Sequence, residues 1–258
     1  MANPTRILYV AGEVKPFAQA SDTATLVRML PEQLQESGDF EARIMMPRYG
    51  TISERKNRLH EVIRLSGTDI PMGDRTETLK VKVASIPGIR LQVYFMDNTH
   101  YFKRKGLHTD KAGNLFEDNV ERALFFGRSV IETLRKLRWG PDIIHAMGWI
   151  SGLLPLLLKT EYADEELFEN TRVVYTPDGI DADAVLSDTV VDTMNLAVNG
   201  EATGLRMGEI GHKFADASIF PASLTPTLPD QLQFSEDEEE RMQQVIDCCE
   251  QVREGVAV

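Results

Sequence analysis

The sequence is poor in three features that mark special classes of protein: cysteine, long apolar runs and positive charge. Only two cysteines occur among 258 residues, Cys248 and Cys249, and they are adjacent. Neighbouring cysteines near one end of a chain are badly placed to cross-link a fold or to supply a four-ligand metal site. We therefore interpret them as reduced thiols on a helix.

No apolar stretch is long enough to span a membrane. The nearest one, residues 153–158, contains Pro155, whereas a spanning helix needs about 20 apolar residues. The first residues, MANPTRILYV, lead into an apolar segment without the charged-then-apolar pattern of an export signal, which predicts a cytoplasmic protein. A net charge of -12 argues against nucleic acid as a partner, because phosphate binding depends on a basic surface. Neutral sugars remain compatible.

Arg6 to Leu34 has the pattern of a buried strand, a loop and an amphipathic helix. Residues 7–10, ILYV, form an apolar run typical of a parallel strand that is covered on both faces. Apolar residues then recur at helical spacing, at Leu26, Val27, Leu30 and Leu34. Ligands of open parallel sheets bind beyond the carboxyl ends of the strands, so residues 13–23 are the first place to look for function.

The remaining sequence repeats this alternation. It predicts further strands at 41–46, 91–96, 142–145 and 172–175, and helices at 117–137, 149–159, 181–198, 205–214 and from a capping box at Ser235 and Glu238. Alternating charged and apolar residues predict a β-hairpin excursion at 59–85. The expected fold class is α/β: a doubly wound, mostly parallel, Rossmann-like sheet with helices on both faces.

Several motifs in this frame resemble those of glycogen and starch synthases. Glu13, Pro16 and Phe17 match the family's Ser-Glu-x-x-Pro-Phe, and residues 46–49 match Met-Pro-x-Tyr. The longest match runs from Asp97 to Phe126 and includes Asp97, Asn98, Tyr101, Phe102, Arg104, Gly106, Leu107, Asp110, Gly113, Asp118, Asn119, Arg122 and Phe126. A further match begins at Pro141, with Asp142, Ile144, His145, Trp149, Gly152 and Leu153 in register.

The resemblance implies the N-terminal half of a GT-B glucosyltransferase, with an ADP-glucose donor and an α-1,4-glucan acceptor. We expect residues 1–223 to form one synthase-like domain and residues 224–258 to form a Pro-containing link and an amphipathic helix. The helix is predicted to pack on this domain or on a partner, including a second copy of the chain. Residues 224–258 are too few for the family's C-terminal nucleotide-binding domain, which we expect to be absent.

The functional loops depart from the family in three places. The family's Lys-Thr-Gly-Gly becomes Gln19, Ala20, Ser21 and Asp22, its His-Asp before tryptophan becomes Met147 and Gly148, and its Thr-Ile-His-Asn becomes residues 176–179, TPDG. Glycosyl transfer requires neutralised donor phosphates and a stabilised sugar cation. Departures at all three places predict lost chemistry, so no residue is assigned a catalytic role.

Seven residues remain candidates for lining a ligand cleft. They are Glu13, Gln19, Asp97, Asn98, Asn119, Arg122 and His145. Each has a structural alternative: Glu13 could cap backbone amides, the other loop residues could hold turns, and a satisfied core histidine is favoured for His145.

No metal or other cofactor is predicted. The acidic stretch 178–192 lacks the spacing of a calcium loop, and acids at a helix start are favoured by the helix dipole.

Two functions follow from these observations. The leading hypothesis is a non-catalytic derivative of the synthase domain, a pseudoenzyme that binds a glucan or a protein. The alternative is half of a split synthase, active toward ADP-glucose once a separate nucleotide-binding domain completes the cleft. That alternative predicts an exposed apolar face near the carboxyl ends of the strands.

Overall fold

The computed structural model describes residues 3–180, 182, 184–198, 200–225 and 231–255. The strands are β1 (Thr5–Ala11), β2 (Phe40–Pro47), β3 (His60–Glu61), β4 (Thr68–Met72), β5 (Arg75–Ser85), β6 (Gln92–Asp97), β7 (Ile143–Met147), β8 (Arg172–Thr176), β9 (Ala217–Phe220) and β10 (Leu232–Gln233). The helices are α1 (Thr23–Ser37), α2 (Glu54–Asn57), α3 (Thr99–Phe102), α4 (Asn119–Leu137), α5 (Leu154–Lys159), α6 (Asp188–Thr193), α7 (Met207–Phe214) and α8 (Glu238–Glu254).

The strands form one sheet in the order β10-β9-β8-β7-β1-β2-β6-β5-β3, with β4 paired to β5. Pairing is parallel from β10 through β6, and β3, β4 and β6 each pair antiparallel with β5. Helices α1 and α8 cover one face, while α4, α5 and α7 cover the other. The predicted doubly wound α/β fold with its β-hairpin excursion is confirmed.

The chain direction places a crevice at the middle of the sheet. From β1 the chain winds outward through β2 and β6, then returns to β7 on the other side of β1. The helices that follow β1 and β7 therefore lie on opposite faces, which leaves a gap beyond the carboxyl ends of these two strands. We call this side of the sheet the carboxyl edge.

One long helix predicted from the sequence, at residues 181–198, is mostly not helical in the structure. Within the predicted helix 181–198, only Asp188–Thr193 is helical. Before it, the backbone pairs with a distant segment: Leu186 N donates to Leu205 O at 2.9 Å, and Met207 N donates to Ala184 O at 3.0 Å. These bonds take the place of helical ones, so the segment is extended and its alternate residues Ala182, Ala184 and Leu186 are buried. Asp181 and Asp183 lie outside the described residues.

Two smaller predictions also need correction. The helix predicted at 149–159 is divided into a 3₁₀ turn at Trp149–Ser151 and α5. Between them Gly152 lies against α7, and a Cβ there would come within 2.1 Å of Met207 O. The start of α8 is capped by Asp237, whose side chain accepts from Glu239 N and Glu240 N, rather than by Ser235.

Helix α8 packs back on its own domain. Its buried side chains are Val245, Cys248, Cys249 and Val252, and it contacts α1 and β8. Near its end, Arg253 Nη1 donates to Thr5 Oγ1 at 2.9 Å, at the first residue of β1. The apolar stripe of this helix is therefore used within the chain.

Among the described residues, no helix has the length and apolarity that a membrane span requires.

Candidate functional site

Three strand ends meet at the carboxyl edge. Strand β1 leads into Glu13, β7 leads into Gly148, and β8 leads into Asp178. The loops approach closely because glycine occupies the contact points: a Cβ on Gly12 would lie 3.0 Å from Ile150 Cγ2. The sequence rule that ligands bind beyond strand ends therefore points to this region.

Glu13 holds the first loop closed. It is 2% exposed, and its Oε2 accepts hydrogen bonds from Ala20 N and, at 3.1 Å, from Ser21 N. Its Oε1 accepts from Ser21 Oγ at 2.6 Å. Both oxygens are thus engaged with the loop, which matches the capping alternative given above. Gln19 lies on the same loop and is exposed.

Asp178 supplies a second carboxylate to this region. Its Oδ2 accepts from Trp149 N at 3.2 Å and its Oδ1 accepts from Ile180 N at 3.1 Å. The residue keeps some surface exposure but is surrounded by protein on most sides. Burial, aided by the charge of Glu13 and opposed by the two backbone hydrogen bonds, raises the pKa of Asp178 to about 7.

Arg122 is a buried cation near the start of α4. It is 0% exposed; its Nε donates to Tyr101 O at 3.0 Å and its Nη1 donates to Asn119 Oδ1 at 2.7 Å. Its Nη2 has no hydrogen-bond partner. Asn119 in turn donates to His108 O and Ala182 O, at 3.1 and 3.4 Å. This network ties the start of α4 to the extended segment that precedes α6.

His108 faces the same network. Its Nδ1 is buried without a partner, and its ring lies 6.4 Å from that of Trp149. Burial, and then the positive charge of Arg122, lower the pKa of His108. The imidazole is therefore favoured in its neutral form near the cleft.

Asp97 and Asn98 hold the end of β6. Asp97 forms a 2.7 Å ion pair with Lys82, which also pairs with Glu54 at 2.7 Å. Asn98 Oδ1 caps α3 by accepting from Tyr101 N at 2.9 Å, and its Nδ2 donates to Glu77 Oε2 at 3.0 Å. Their polar atoms are thus committed to the β-hairpin and α3.

His145 lies inside the sheet layer rather than in the cleft. It is 1% exposed, its Nε2 lies 2.8 Å from Thr176 Oγ1, and its ring lies 5.1 Å from that of Tyr9. Burial lowers the pKa of His145 to about 3, so it is neutral at ordinary pH. This environment is that of a satisfied core histidine.

A cavity of about 540 Å³ opens at the carboxyl edge between β8, β9 and α7. Its wall is mostly apolar and includes several ionisable side chains. The lining residues are Trp149, Tyr175, Pro177, Asp178, Gly179, Ile180, Ala182, Ala184, Arg206, Met207, Gly208, Glu209, His212 and Phe220. Its volume lies within the usual range for small-molecule sites. We call it the edge cavity.

Most of the edge cavity was not anticipated from the sequence. The sequence indicates Asp178 only as part of the altered motif 176–179 and of the acidic stretch 178–192, and it predicts a helix at 205–214 without a role for Arg206, Glu209 or His212. One signal was available for Asp178, because it follows β8 as Glu13 follows β1. Among the described residues, no group of three or more His, Cys, Asp and Glu side chains is arranged to hold a metal ion.

The family model described as the starch synthase catalytic domain matches residues 6–210. Glycogen synthase of Chlorobium luteolum is 49% identical over 172 residues, which cover 66% of this chain and 35% of that enzyme. Glycogen synthase of Chlorobaculum tepidum is 41% identical over 218 residues, which cover 80% of this chain and 44% of that enzyme. The chain thus spans less than half the length of these curated relatives.

The fold is similar to a solved synthase structure. The catalytic domain of starch synthase IV from Arabidopsis thaliana, bound to ADP and acarbose, superposes with a TM-score of 0.70 at 18% identity, covering 96% of this chain and 50% of that one. The architecture is therefore that of a GT-B-type glycosyltransferase domain. The chain itself belongs to the starch synthase catalytic domain family, as the match over 6–210 shows. The resemblance noted in the sequence is confirmed.

Proposed function

We propose that this chain is a non-catalytic derivative of the synthase N-terminal domain that binds an α-glucan in the edge cavity. The observation that carries the proposal is the composition of that cavity. Trp149 and Phe220 offer apolar ring surfaces. The polar groups of the wall, Asp178, Glu209 and His212, are held in place by hydrogen bonds within the protein. Sugar rings have apolar faces and hydroxyl rims, so a mixed wall of this kind suits them.

The interactions of the polar groups nearest the cleft support the proposal that this chain does not transfer glucose. Glu13 is occupied by three hydrogen bonds from its own loop, and Asp97 is neutralised by Lys82. The neutral, buried His145 is unsuited to exchanging protons at neutral pH. Gln19, Ser21 and Asp22 offer neither a cation nor a glycine backbone to a donor phosphate.

Calorimetric titration separates the proposed functions. Maltoheptaose, ADP and ADP-glucose are each titrated into the full chain, with glucosyl transfer from ADP-glucose to maltoheptaose assayed in parallel. We expect saturable binding of maltoheptaose, no binding of ADP and no transfer. Binding of ADP-glucose by this chain alone, or transfer, would overturn the proposal.

Variants locate the binding. Glu209 and His212 are exposed residues of the cavity, so Glu209→Gln and His212→Ala should weaken maltoheptaose binding without unfolding the chain. His60→Ala, at an exposed histidine on β3, is the matched control. Equal affinity in all three variants would place any glucan elsewhere.

The alternative function is half of a split synthase. The observation in its favour is that the matched region corresponds to 35% of the Chlorobium luteolum enzyme and half of the Arabidopsis catalytic domain. The large apolar side chains exposed in the described part of the chain are Ile63 and Leu115, which do not make up the broad apolar face predicted for docking of a second domain. Restored transfer on mixing with a nucleotide-binding synthase domain would establish the alternative.

We place the protein in the cytoplasm. The supporting observation is that both thiols, Cys248 and Cys249, are free and buried, as is common in a reducing compartment.

A further inference from the structure

A patch of unpaired positive charge lies on two neighbouring loops, the first of which includes the short helix α2. We define the basic patch as Arg55, Lys56, Arg58, Lys103 and Lys105. All five side chains are exposed, and none forms an ion pair within the described part of the chain. The cations around them are already paired: Arg104 with Asp118, and Arg48 and Lys82 with Glu54.

The two loops of the basic patch touch each other. Gly50 N donates to Phe102 O at 2.7 Å, and a Cβ on Gly50 would lie 2.6 Å from Arg104 O. The first loop leaves the end of β2 and the second leaves the end of β6, so both begin at the carboxyl edge. Leu115, a large apolar side chain that is 38% exposed, lies further along the second loop.

A patch of unpaired negative charge lies at the start of α8. We define the acidic patch as Glu236, Asp237, Glu238, Glu239 and Glu240, five consecutive exposed residues. The nearest cation in sequence, Arg241, donates instead to the backbone carbonyls of Ser235 and Glu236, at 2.9 and 2.6 Å. The acidic patch thus has no neutralising side chain among the described ion pairs.

Both patches lie on the same edge of the sheet, at opposite ends. Strand β10 runs parallel to β9 and ends at the carboxyl edge, where α8 begins. The helix then returns to the amino edge, where Arg253 contacts Thr5. Five strand spacings separate β10 from β2, which corresponds to roughly 24 Å. The edge cavity lies between the two patches.

This arrangement is self-complementary. When two copies face each other at the carboxyl edge about a two-fold axis, the basic patch of each copy meets the acidic patch of the other. We propose that the chain forms a symmetric homodimer through its carboxyl edge, held by these two equivalent contacts. The apolar stripe of α8 is buried within the chain, so the helix contributes its acidic first turn rather than its apolar face. The inference concerns the sugar-free protein and does not rest on glucan binding.

Charge reversal tests the pairing. Sedimentation velocity over a concentration series at 0.15 M NaCl compares the wild-type chain, Lys103→Glu/Lys105→Glu and Glu238→Lys/Glu239→Lys. We expect the wild-type chain to dimerise and each variant to dimerise at least about 10-fold more weakly, since the two substitutions reduce the net charge of the altered patch from five to one in both contacts. A wild-type chain that stays monomeric at the highest concentration would overturn the proposal.

An equimolar mixture of the two reversed variants gives the sharpest result. In that heterodimer one contact is native, and the other joins a basic patch reduced to a net charge of +1 with an acidic patch reduced to -1, so the native contact alone keeps its full attraction. We expect the mixture to associate at least about 3-fold more tightly than either variant alone, because one contact again has its native charges. Failure of the mixture to associate, with both variants folded by circular dichroism, would show that the patches do not meet.

A control variant separates the effect of the basic patch from the effect of net charge. Arg90 precedes β6 and Lys136 lies near the end of α4, so both are exposed at the amino edge. Arg90→Glu/Lys136→Glu changes the net charge by the same amount as Lys103→Glu/Lys105→Glu. The dimer should persist in this control, whereas equal weakening in both variants would attribute the effect to overall repulsion and contradict the proposed interface.

Discussion

The carboxylate of Asp178 fills the space beside Gly148 that any larger residue would need. A Cβ on Gly148 would lie 2.5 Å from Asp178 Oδ2, and the same oxygen accepts from Trp149 N at 3.2 Å. Position 148 corresponds to the aspartate of the family's His-Asp-Trp motif. A carboxylate is therefore present next to this position although it is delivered from the end of β8, and the residues at 148 and 178 constrain each other.

Gly148→Ala should destabilise the fold through both backbone strain and this contact. Gly148 has φ 84 and ψ 169, a conformation close to glycine-only, and the added methyl group meets Asp178. We expect a loss of about 3 kcal/mol in the free energy of unfolding, measured with urea. The control is Gly67→Ala, at φ 75 with no atom within 4 Å, which should lose only about 1 kcal/mol. Equal losses would show that the contact with Asp178 is relieved without cost.

The stability of the fold should depend on the charge of Asp178. Its pKa is raised to about 7 by burial, so the folded chain keeps a proton that the unfolded chain releases near pH 4. The contribution of this group is therefore most favourable below pH 4 and is lost as pH rises to 7. Asp178→Asn removes the buried charge. Relative to the wild type, the free energy of unfolding of this variant should therefore increase by up to ~4 kcal/mol as the pH is raised from 4 to 8.

Urea unfolding at several pH values measures this difference. Asp164→Asn, at an exposed aspartate, is the control and should run parallel to the wild type. A constant offset between Asp178→Asn and the wild type across the pH range would contradict the raised pKa.

The parts of the fold that the sequence predicted are those governed by local pattern. The apolar run 7–10 became the central strand β1 because continuous apolar residues suit a strand that is covered on both faces. The helix predicted at 181–198 was wrong because its backbone pairs with residues 205–207, a contact that no local pattern encodes.

The candidate site also combines features that the local sequence predicts with features that depend on distant contacts. The rule of strand ends placed Glu13 at the carboxyl edge, but the direction of its oxygens toward Ala20 and Ser21 depends on how the loop closes. The proximity of Asp178 to Gly148 joins two different strands, so it could be found only once the sheet order was known. It stays a prediction that the seven cleft residues proposed from the sequence contact a ligand.

Thr176→Val should leave a buried imidazole without its partner. Thr176 Oγ1 lies 2.8 Å from His145 Nε2, and both residues are buried. Valine keeps the shape of threonine and removes the hydroxyl, so we expect a loss of about 1–3 kcal/mol. Thr133→Val is the control, because that hydroxyl donates to Ser129 O at 2.7 Å within the same helix and its loss should cost less. Equal losses in urea unfolding would indicate that the His145 contact has no special weight.

The thiols of α8 should report how the helix detaches from the sheet. Cys248 and Cys249 are 1% and 2% exposed, and burial raises the pKa of Cys248 to about 12. Because the thiolate is the reactive form, a disulfide reagent at pH 8 should modify them only when α8 opens. Val252→Ala removes buried methyl groups from the helix, at a cost of about 2 kcal/mol, and should accelerate modification about 30-fold if α8 opens on its own.

Comparing the rate of thiol modification with the free energy of unfolding shows whether α8 opens on its own or only when the whole domain unfolds. Ile63→Ala, at a side chain that is 77% exposed, should change neither the rate of thiol modification nor the free energy of unfolding. Gly148→Ala should lower the free energy of unfolding but leave the thiol rate unchanged, because Gly148 lies at the carboxyl edge and not beneath α8. If Gly148→Ala accelerates modification as much as its loss of stability predicts, the thiols are reached only by global unfolding, and α8 is an integral part of the domain rather than a separately opening element.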